Sequence, residues 1–154
     1  MADAKNDTAD ATNDTAFHVA HAGSLAHPGA RVHVRPGGRR VTVLRAPDGE
    51  LRCLDSVCYH GGGPLGQGPI EEVDGRSCIV CPWHTYKVTL DGGEKLYRES
   101  VPGPDGKLVA GGWKSAGVRQ RCHLAYERDG EVFVELSTEP AELASDKYAC
   151  RPER

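Results

Sequence analysis

Apolar residues in this chain fall in short runs that alternate with polar ones and stop at turn residues. Residues 31–34 and 40–46 alternate on either side of a Pro-Gly-Gly, and Pro47-Asp48-Gly49 leads into a further run at 50–55. Period-two runs bounded by Gly, Pro and Asp predict strands joined by tight turns. Residues 17–20 read as a first strand. Residues 69–73 and 76–81 flank Asp74-Gly75, a strong signal for a two-residue type I′ hairpin. Residues 86–90 read as a strand ending at Asp91-Gly92-Gly93, and 118–127 and 131–136 flank Arg128-Asp129-Gly130. The Gly- and Pro-containing stretch 100–114 reads as a loop, and 139–145 as a short helix. The pattern predicts an all-β domain of antiparallel strands, sandwich or barrel-like.

The alternation also sorts side chains. In 118–127, Val118, Gln120, Cys122, Leu124 and Tyr126 share one face, and Arg119, Arg121, His123 and Glu127 the other. Cys122 is therefore expected in the core and His123 in solvent beside two arginines. Cys53 shares a face with Leu51 and reads as core. Cys78, three residues before Cys81 and so on the opposite face of a regular strand, reads as a packed thiol. Cys150 sits in a polar tail and reads as a free thiol. His18, His21, His27 and His33 are expected at surface or edge positions.

Length and charge narrow the picture. The 154 residues suit one domain with tails. The formal net charge of −3 belongs to residues 1–16, where Asp3, Asp7, Asp10 and Asp14 face only Lys5; the remainder is neutral. No basic face marks a nucleic-acid partner. No apolar run approaches the roughly 18–20 residues of a membrane span. The start lacks the apolar core of a secretory signal and the arginines of a transit peptide, so a cytoplasmic, reducing compartment is expected. There, the six cysteines read as metal ligands or buried thiols before disulfides. Residues 1–16 are expected to be a disordered acidic tail, 17–138 the folded domain, and 139–154 a short helix and C-terminal tail.

The chemistry concentrates in two loops. Cys58-x-His60 is followed by twenty residues and then Cys81-x-x-His84. Each pair offers one thiolate and one imidazole, and each lies among breakers, Gly61-Gly62-Gly63-Pro64 in the first and Pro82 in the second. The Asp74-Gly75 hairpin lies between them, so the loops at its two ends can close on one object. Four unligated structural residues would be a poor use of such a pattern. Two thiolates and two imidazoles would satisfy a tetrahedral zinc, or a [2Fe–2S] cluster with thiolates on one iron and imidazoles on the other. The short Cys-x-His spacing favours the cluster, because it bridges two irons more readily than it chelates one. The triple glycine does too, because it lets backbone N–H groups approach sulfide.

"CYHGGGPLG" (58–66) and "CPWHTYKV" (81–88) resemble the two cluster-binding loops of the Rieske [2Fe–2S] family. The stretches GPIEEVDGRSCIVCPWH, GVRQRCH and SDKYA extend the likeness to the small soluble, ferredoxin-type members, over about 17–149. The resemblance implies three stacked antiparallel sheets with one [2Fe–2S] cluster at the tip of a small subdomain, about 55–90. It implies Cys58 and Cys81 on an inner iron and His60 and His84 on an outer one. It further implies a one-electron carrier between a reductase and a terminal acceptor, with no substrate site of its own. A ferredoxin or small subunit of an oxygenase or nitrite reductase complex, and a redox or iron–sulfur sensor, are the other roles open to such a domain. A Rieske oxygenase would need a second iron held by two histidines and a carboxylate, and His123 is the only histidine after Leu90. Respiratory-type members add a cysteine to each loop, where this chain has Gly63 and Trp83, and a serine where it has Tyr86. With fewer donors to sulfur, the potential is expected toward the low end of the roughly −150 to +300 mV Rieske range. Imidazole ligation also makes the potential pH-dependent at high pH, because oxidised iron lowers the N–H pKa of its ligands. Trp83 and Tyr86 are expected as an apolar lid that keeps water off the site.

Overall fold

Two Asp-Gly pairs turn the chain where the alternating pattern breaks. Asp74 and Gly75 have φ of 53° and 80°, and Asp129 and Gly130 have 54° and 79°. Left-handed backbone at both central positions is the type I′ turn that matches the twist of the flanking strands. The computed structural model describes residues 15–150. Its strands are β1 (Ala16–His21), β2 (Arg31–Val34), β3 (Val41–Arg45), β4 (Leu51–Asp55), β5 (Ile70–Val73), β6 (Arg76–Val80), β7 (Lys87–Thr89), β8 (Glu94–Pro102), β9 (Leu108–Val118), β10 (Cys122–Arg128) and β11 (Glu131–Glu135). One short helix, α1 (Asp146–Ala149), follows.

All strand pairs are antiparallel. One sheet runs β9-β8-β7-β6-β5, and a second array runs β1-β11-β10-β4-β3-β2. Within that array β10 belongs to two ladders. Cys122 and His123 pair with Leu54 and Cys53 of β4, and from Leu124 onward β10 pairs with β11. The fold is thus all-β, with curled antiparallel sheets, as expected. Strand β3 is buried on both faces. Val41 and Val43 pack with Leu25, Cys53, Val132 and Val134, while Leu44 packs on the other side with Leu54, Leu65, Ile79 and Val88. Each such fully buried side chain contributes roughly 1.5–3 kcal/mol. The second of these cores also takes in Cys58, Tyr59 and Cys81, so both loops of the Cys–His pattern are anchored in it.

Four expectations are corrected. Residues 100–114 are not a loop. They form most of the β8–β9 hairpin, closed by Gly103 N–H donating to Lys107 O (2.7 Å). Leu108 and Val109 are exposed there, so the arm lacks the one-sided alternation that marks a half-buried strand. The stretch 118–127 is not one strand. β9 ends at Val118, a short connection follows, and β10 restarts at Cys122, which breaks the phase. His123, paired with Cys53 of β4 and hydrogen-bonded to Asp55, is buried, and Leu124, where β10 passes to β11, is exposed. The helix lies at Asp146–Ala149 rather than 139–145. Leu143 N–H donates to the Asp146 carboxylate (2.8 Å), and that carboxylate is held by Arg39 and Arg121, which fixes where the turn begins. The strand expected at 86–90 is trimmed to Lys87–Thr89.

Cys53 and Cys78 are buried, Cys122 is half-buried against the core, and Cys150 is exposed. His18, His21, His27 and His33 are exposed. The acidic tail expected over 1–16 lies, through residue 14, outside the described residues, as do residues 151–154 of the expected C-terminal tail. Among the described residues no helix is long and apolar enough to cross a membrane.

Candidate metal centre

The first loop leaves β4 at Asp55 and curls tightly around Cys58. Gly62 N–H donates to Cys58 O (3.0 Å), and Cys58 N–H donates to Gly63 O (2.8 Å). Gly62 has φ 79°, and a Cβ on it would press on the Tyr148 ring at 3.2 Å. A Cβ on Gly63 would lie 2.9 Å from Cys81 Sγ and 3.0 Å from the Trp83 ring. Glycine at 63 therefore keeps open the space beside a thiol of the other loop. The second loop makes a matching turn around Cys81. Cys81 N–H donates to Tyr86 O (2.9 Å), and Thr85 N–H donates to Cys81 O (2.8 Å).

The β5–β6 hairpin brings the loops together, as its position in the sequence predicts. Val80 N–H donates to Pro69 O (2.9 Å), and a Cβ on Gly68 would overlap the Val80 carbonyl. Gln120, fully buried, braces the first loop from the β9–β10 connection. Its Oε1 accepts from Tyr59 N–H (2.9 Å), and its Nε2 donates to Asp55 O (2.9 Å) and Val57 O (2.8 Å). Sequence reasoning placed Gln120 on the core face and assigned it no role. The available signal was the amide itself, since a buried amide must find partners.

The four predicted residues are brought together and sorted by element type. Cys58 and Cys81 are 1% and 2% exposed. Burial first of all pushes the Cys58 thiol up to about 11; the N–H groups of His60 and Gly61 act against this, and the neighbouring Cys81 adds to it. The two thiols thus sit close enough to act on each other. His60 and His84 lie on the exposed side, ring centroids 4.9 Å apart and nearly perpendicular. Tyr86 stacks on His60 at 4.0 Å, with Lys95 Nζ 4.6 Å from the Tyr86 ring centre. Trp83, expected as a lid, lies against Gly63 but is 58% exposed.

This donor set fits a two-iron group better than a single ion. A tetrahedral zinc with bonds of about 2.0–2.3 Å needs donors roughly 3.3–3.8 Å apart. Among the described residues, no three of Cys58, His60, Cys81 and His84 bring donor atoms within 4.8 Å of one another. They make two pairs, sulfur inside and nitrogen outside. The Tyr59 hydroxyl, buried beside the thiols in the same core, has no hydrogen-bond partner among the described residues. Burial, helped by Cys58 and Tyr86, raises its pKa, so it stays a donor. A sulfur-rich group seated here would offer it an acceptor.

Comparison with known proteins agrees with this geometry. The profile of the soluble Rieske-type ferredoxins matches residues 27–139. A human Rieske domain-containing protein is 47% identical over 111 residues, covering 71% of this chain and 69% of that protein. The oxygenase subunit of an Acinetobacter baumannii carnitine monooxygenase is 34% identical over 82 residues, 52% of this chain but only 21% of that protein. In fold, the chain is similar to the ferredoxin of carbazole 1,9a-dioxygenase from Nocardioides aromaticivorans IC177. That likeness has a TM-score of 0.58 at 18% identity and covers 80% of this chain and 99% of the other.

Proposed function

The chain belongs to the soluble Rieske-type ferredoxin family, and from that premise we propose that it holds one [2Fe–2S] cluster on Cys58, Cys81, His60 and His84. In this reading the thiolates take the inner iron and the imidazoles the outer one. The protein carries single electrons from a reductase to a terminal acceptor and has no substrate site of its own. Residues 55–90 are the cluster-holding part of a domain over 17–138, and 139–150 close it by laying Tyr148 on Gly62.

The observation that carries this reading is the segregation of the donors, with two thiols in the core and two imidazoles at the surface. The bound cluster supplies a one-electron couple at moderate potential, because two thiolates leave a diferric core neutral where four would leave it at −2. The chain does the rest. Leu65, Ile79 and Val88 keep water from the sulfur side, and the hydrogen-bonded turns hold the thiols in place before metal arrives. The exposed imidazoles form the face on which a redox partner can settle. All six cysteines are free, which agrees with residence in a reducing compartment such as the cytoplasm. The fold likeness to a dioxygenase ferredoxin supports a second reading, that the terminal acceptor is an oxygenase with which this chain forms a complex.

The test is iron and acid-labile sulfide analysis, with EPR of the dithionite-reduced protein. Two irons and two sulfides per chain with an average g value below that of all-cysteine clusters are expected. Zinc at full occupancy, or an iron signal without sulfide, would refute the assignment. Film voltammetry of the same preparation should place the potential near the lower end of the roughly −150 to +300 mV range. A value near the top would show strong donors to sulfur that Gly63, Trp83 and Tyr86 do not provide.

A further inference from the structure

Among the described residues, strand β1 lies at the edge of the six-stranded array and pairs with β11. Its register is irregular. Glu131 pairs with His21, Val132 with Ala20, and Phe133 with His18. β11 advances one residue where β1 advances two, so Val19 is an extra residue bulged out of the ladder. Positions 18 and 21 of a regular strand point to opposite faces. The bulge shifts the phase by one and turns both histidines to the same side.

They converge there on Glu131. His18 Nε2 lies 2.6 Å from Glu131 Oε1, and His21 Nδ1 lies 2.8 Å from Oε1 and 2.9 Å from Oε2. The three donor groups all fall within 4.8 Å of one another, and among the described residues no other trio of His, Cys, Asp or Glu does. The Asp129-Gly130 turn places Glu131, and Ala22 N–H donating to Gly130 O (2.8 Å) ties β1 to that turn one residue beyond His21. An edge-to-face contact with Phe133 sets the His18 ring from beneath, at 5.6 Å between centroids.

Two imidazoles sharing one carboxylate could simply be hydrogen-bonded to it. That account explains the distances but not the bulge, which is needed to bring His18 round to the face of His21 and Glu131. We propose that His18, His21 and Glu131 form a surface site for a divalent zinc-type ion, separate from the Cys58–His84 centre. Two neutral nitrogens and one carboxylate oxygen suit Zn²⁺, Ni²⁺ or Cu²⁺, whereas Ca²⁺ and Mg²⁺ demand oxygen ligands throughout. Bonds of about 2.0–2.2 Å require donors some 3.3–3.5 Å apart. The imidazole nitrogens, now 2.6 and 2.8 Å from Glu131 Oε1, would move outward by roughly 0.5–0.9 Å to meet that requirement, a shift that small rotations of these surface side chains supply. The fourth position is left to water. The ion displaces any proton shared between an imidazole and the carboxylate, and it pins the edge strand to β11.

The experiment uses the full chain with its iron centre loaded and the iron content fixed beforehand, titrated with Zn²⁺ by calorimetry in a non-chelating buffer. One zinc per chain, with iron content unchanged and a higher melting temperature, is the expected result. His21→Gln and Glu131→Gln, both of which retain a hydrogen-bonding partner, should each weaken binding at least tenfold, and Cys150→Ser should leave it unchanged. With Cu²⁺ as the probe on the oxidised protein, the EPR spectrum should show coupling to two nitrogens, falling to one in His21→Gln. Equal zinc affinity in wild type, His21→Gln and Glu131→Gln overturns the proposal. So does binding abolished by Cys150→Ser, or zinc uptake only at the expense of iron.

Discussion

Asp55→Ala should lower the unfolding free energy by about 3–5 kcal/mol, the cost of stripping one partner from a buried ion pair. Asp55 is fully buried at the end of β4. Its Oδ1 accepts from Arg39 Nε (2.7 Å) and from His123 Nε2 (2.8 Å). Its Oδ2 accepts from Arg39 Nη2 (2.5 Å) and Ser145 Oγ (2.6 Å). Ser137 N–H donates to His123 Nδ1 (3.0 Å), so Nδ1 carries no proton and the neutral ring gives its Nε2–H to Asp55. Arg39 also reaches Asp146, which pairs with Arg121, and the two carboxylates balance the two guanidiniums. Alanine at 55 would leave the buried His123 Nε2–H without its acceptor and the largely buried Arg39 with Asp146 alone. Burial alone would raise the Asp55 pKa, but the hydrogen bonds from Arg39, His123 and Ser145 outweigh it and hold it low. Asp146 is held well below the usual carboxylate range, chiefly by Arg121. A depressed folded pKa gives stability that is complete above the unfolded value of about 3.9 and is lost as pH falls through the folded value. Wild-type stability should therefore decline below about pH 4, and Asp55→Asn should flatten part of that decline. Urea melts followed by circular dichroism at pH 7 and pH 3 measure both effects. A loss under about 1 kcal/mol at pH 7 would mean the network is structurally idle.

The features legible in the sequence are those whose cause is local. Asp74-Gly75 and Asp129-Gly130 take up left-handed turns, and the four proposed donors, Cys58, His60, Cys81 and His84, stand out by residue type and spacing. The features that escaped have distant causes. His123 reads as solvated because its partner Asp55 is 68 residues away, and nothing nearby announces a buried carboxylate. Gln120 shows the same separation, bracing a loop some 60 residues upstream. The β8–β9 arm, exposed on its outer positions, has no hydrophobic face to imprint on its sequence. The bulge at Val19 is set by pairing with β11, so the convergence of His18 with His21 appears only once the register is known.

Cys81→Ser should abolish iron binding, while His84→Cys should keep iron and change its potential. The difference follows from where each donor sits. Cys81 is 2% exposed in a core of Leu65, Ile79 and Val88. A serine there would have to ionise without water, and ionising a buried oxygen is far more costly than ionising a thiol. Cys58 shares that environment and should behave alike. His84 projects from an open turn on the exposed side, where a thiolate loses little hydration. Exchanging one neutral imidazole for one thiolate makes the site one charge more negative and hinders electron uptake. All-cysteine plant-type clusters lie near −400 mV, against roughly −150 to +300 mV with two imidazoles, so a single exchange should lower the potential by roughly 100–200 mV. Visible absorption, iron content and voltammetry of the two variants separate these outcomes. Iron retained at wild-type level in Cys81→Ser, or an unshifted potential in His84→Cys, would show that the donors have been wrongly paired with the inner and outer sides of the site.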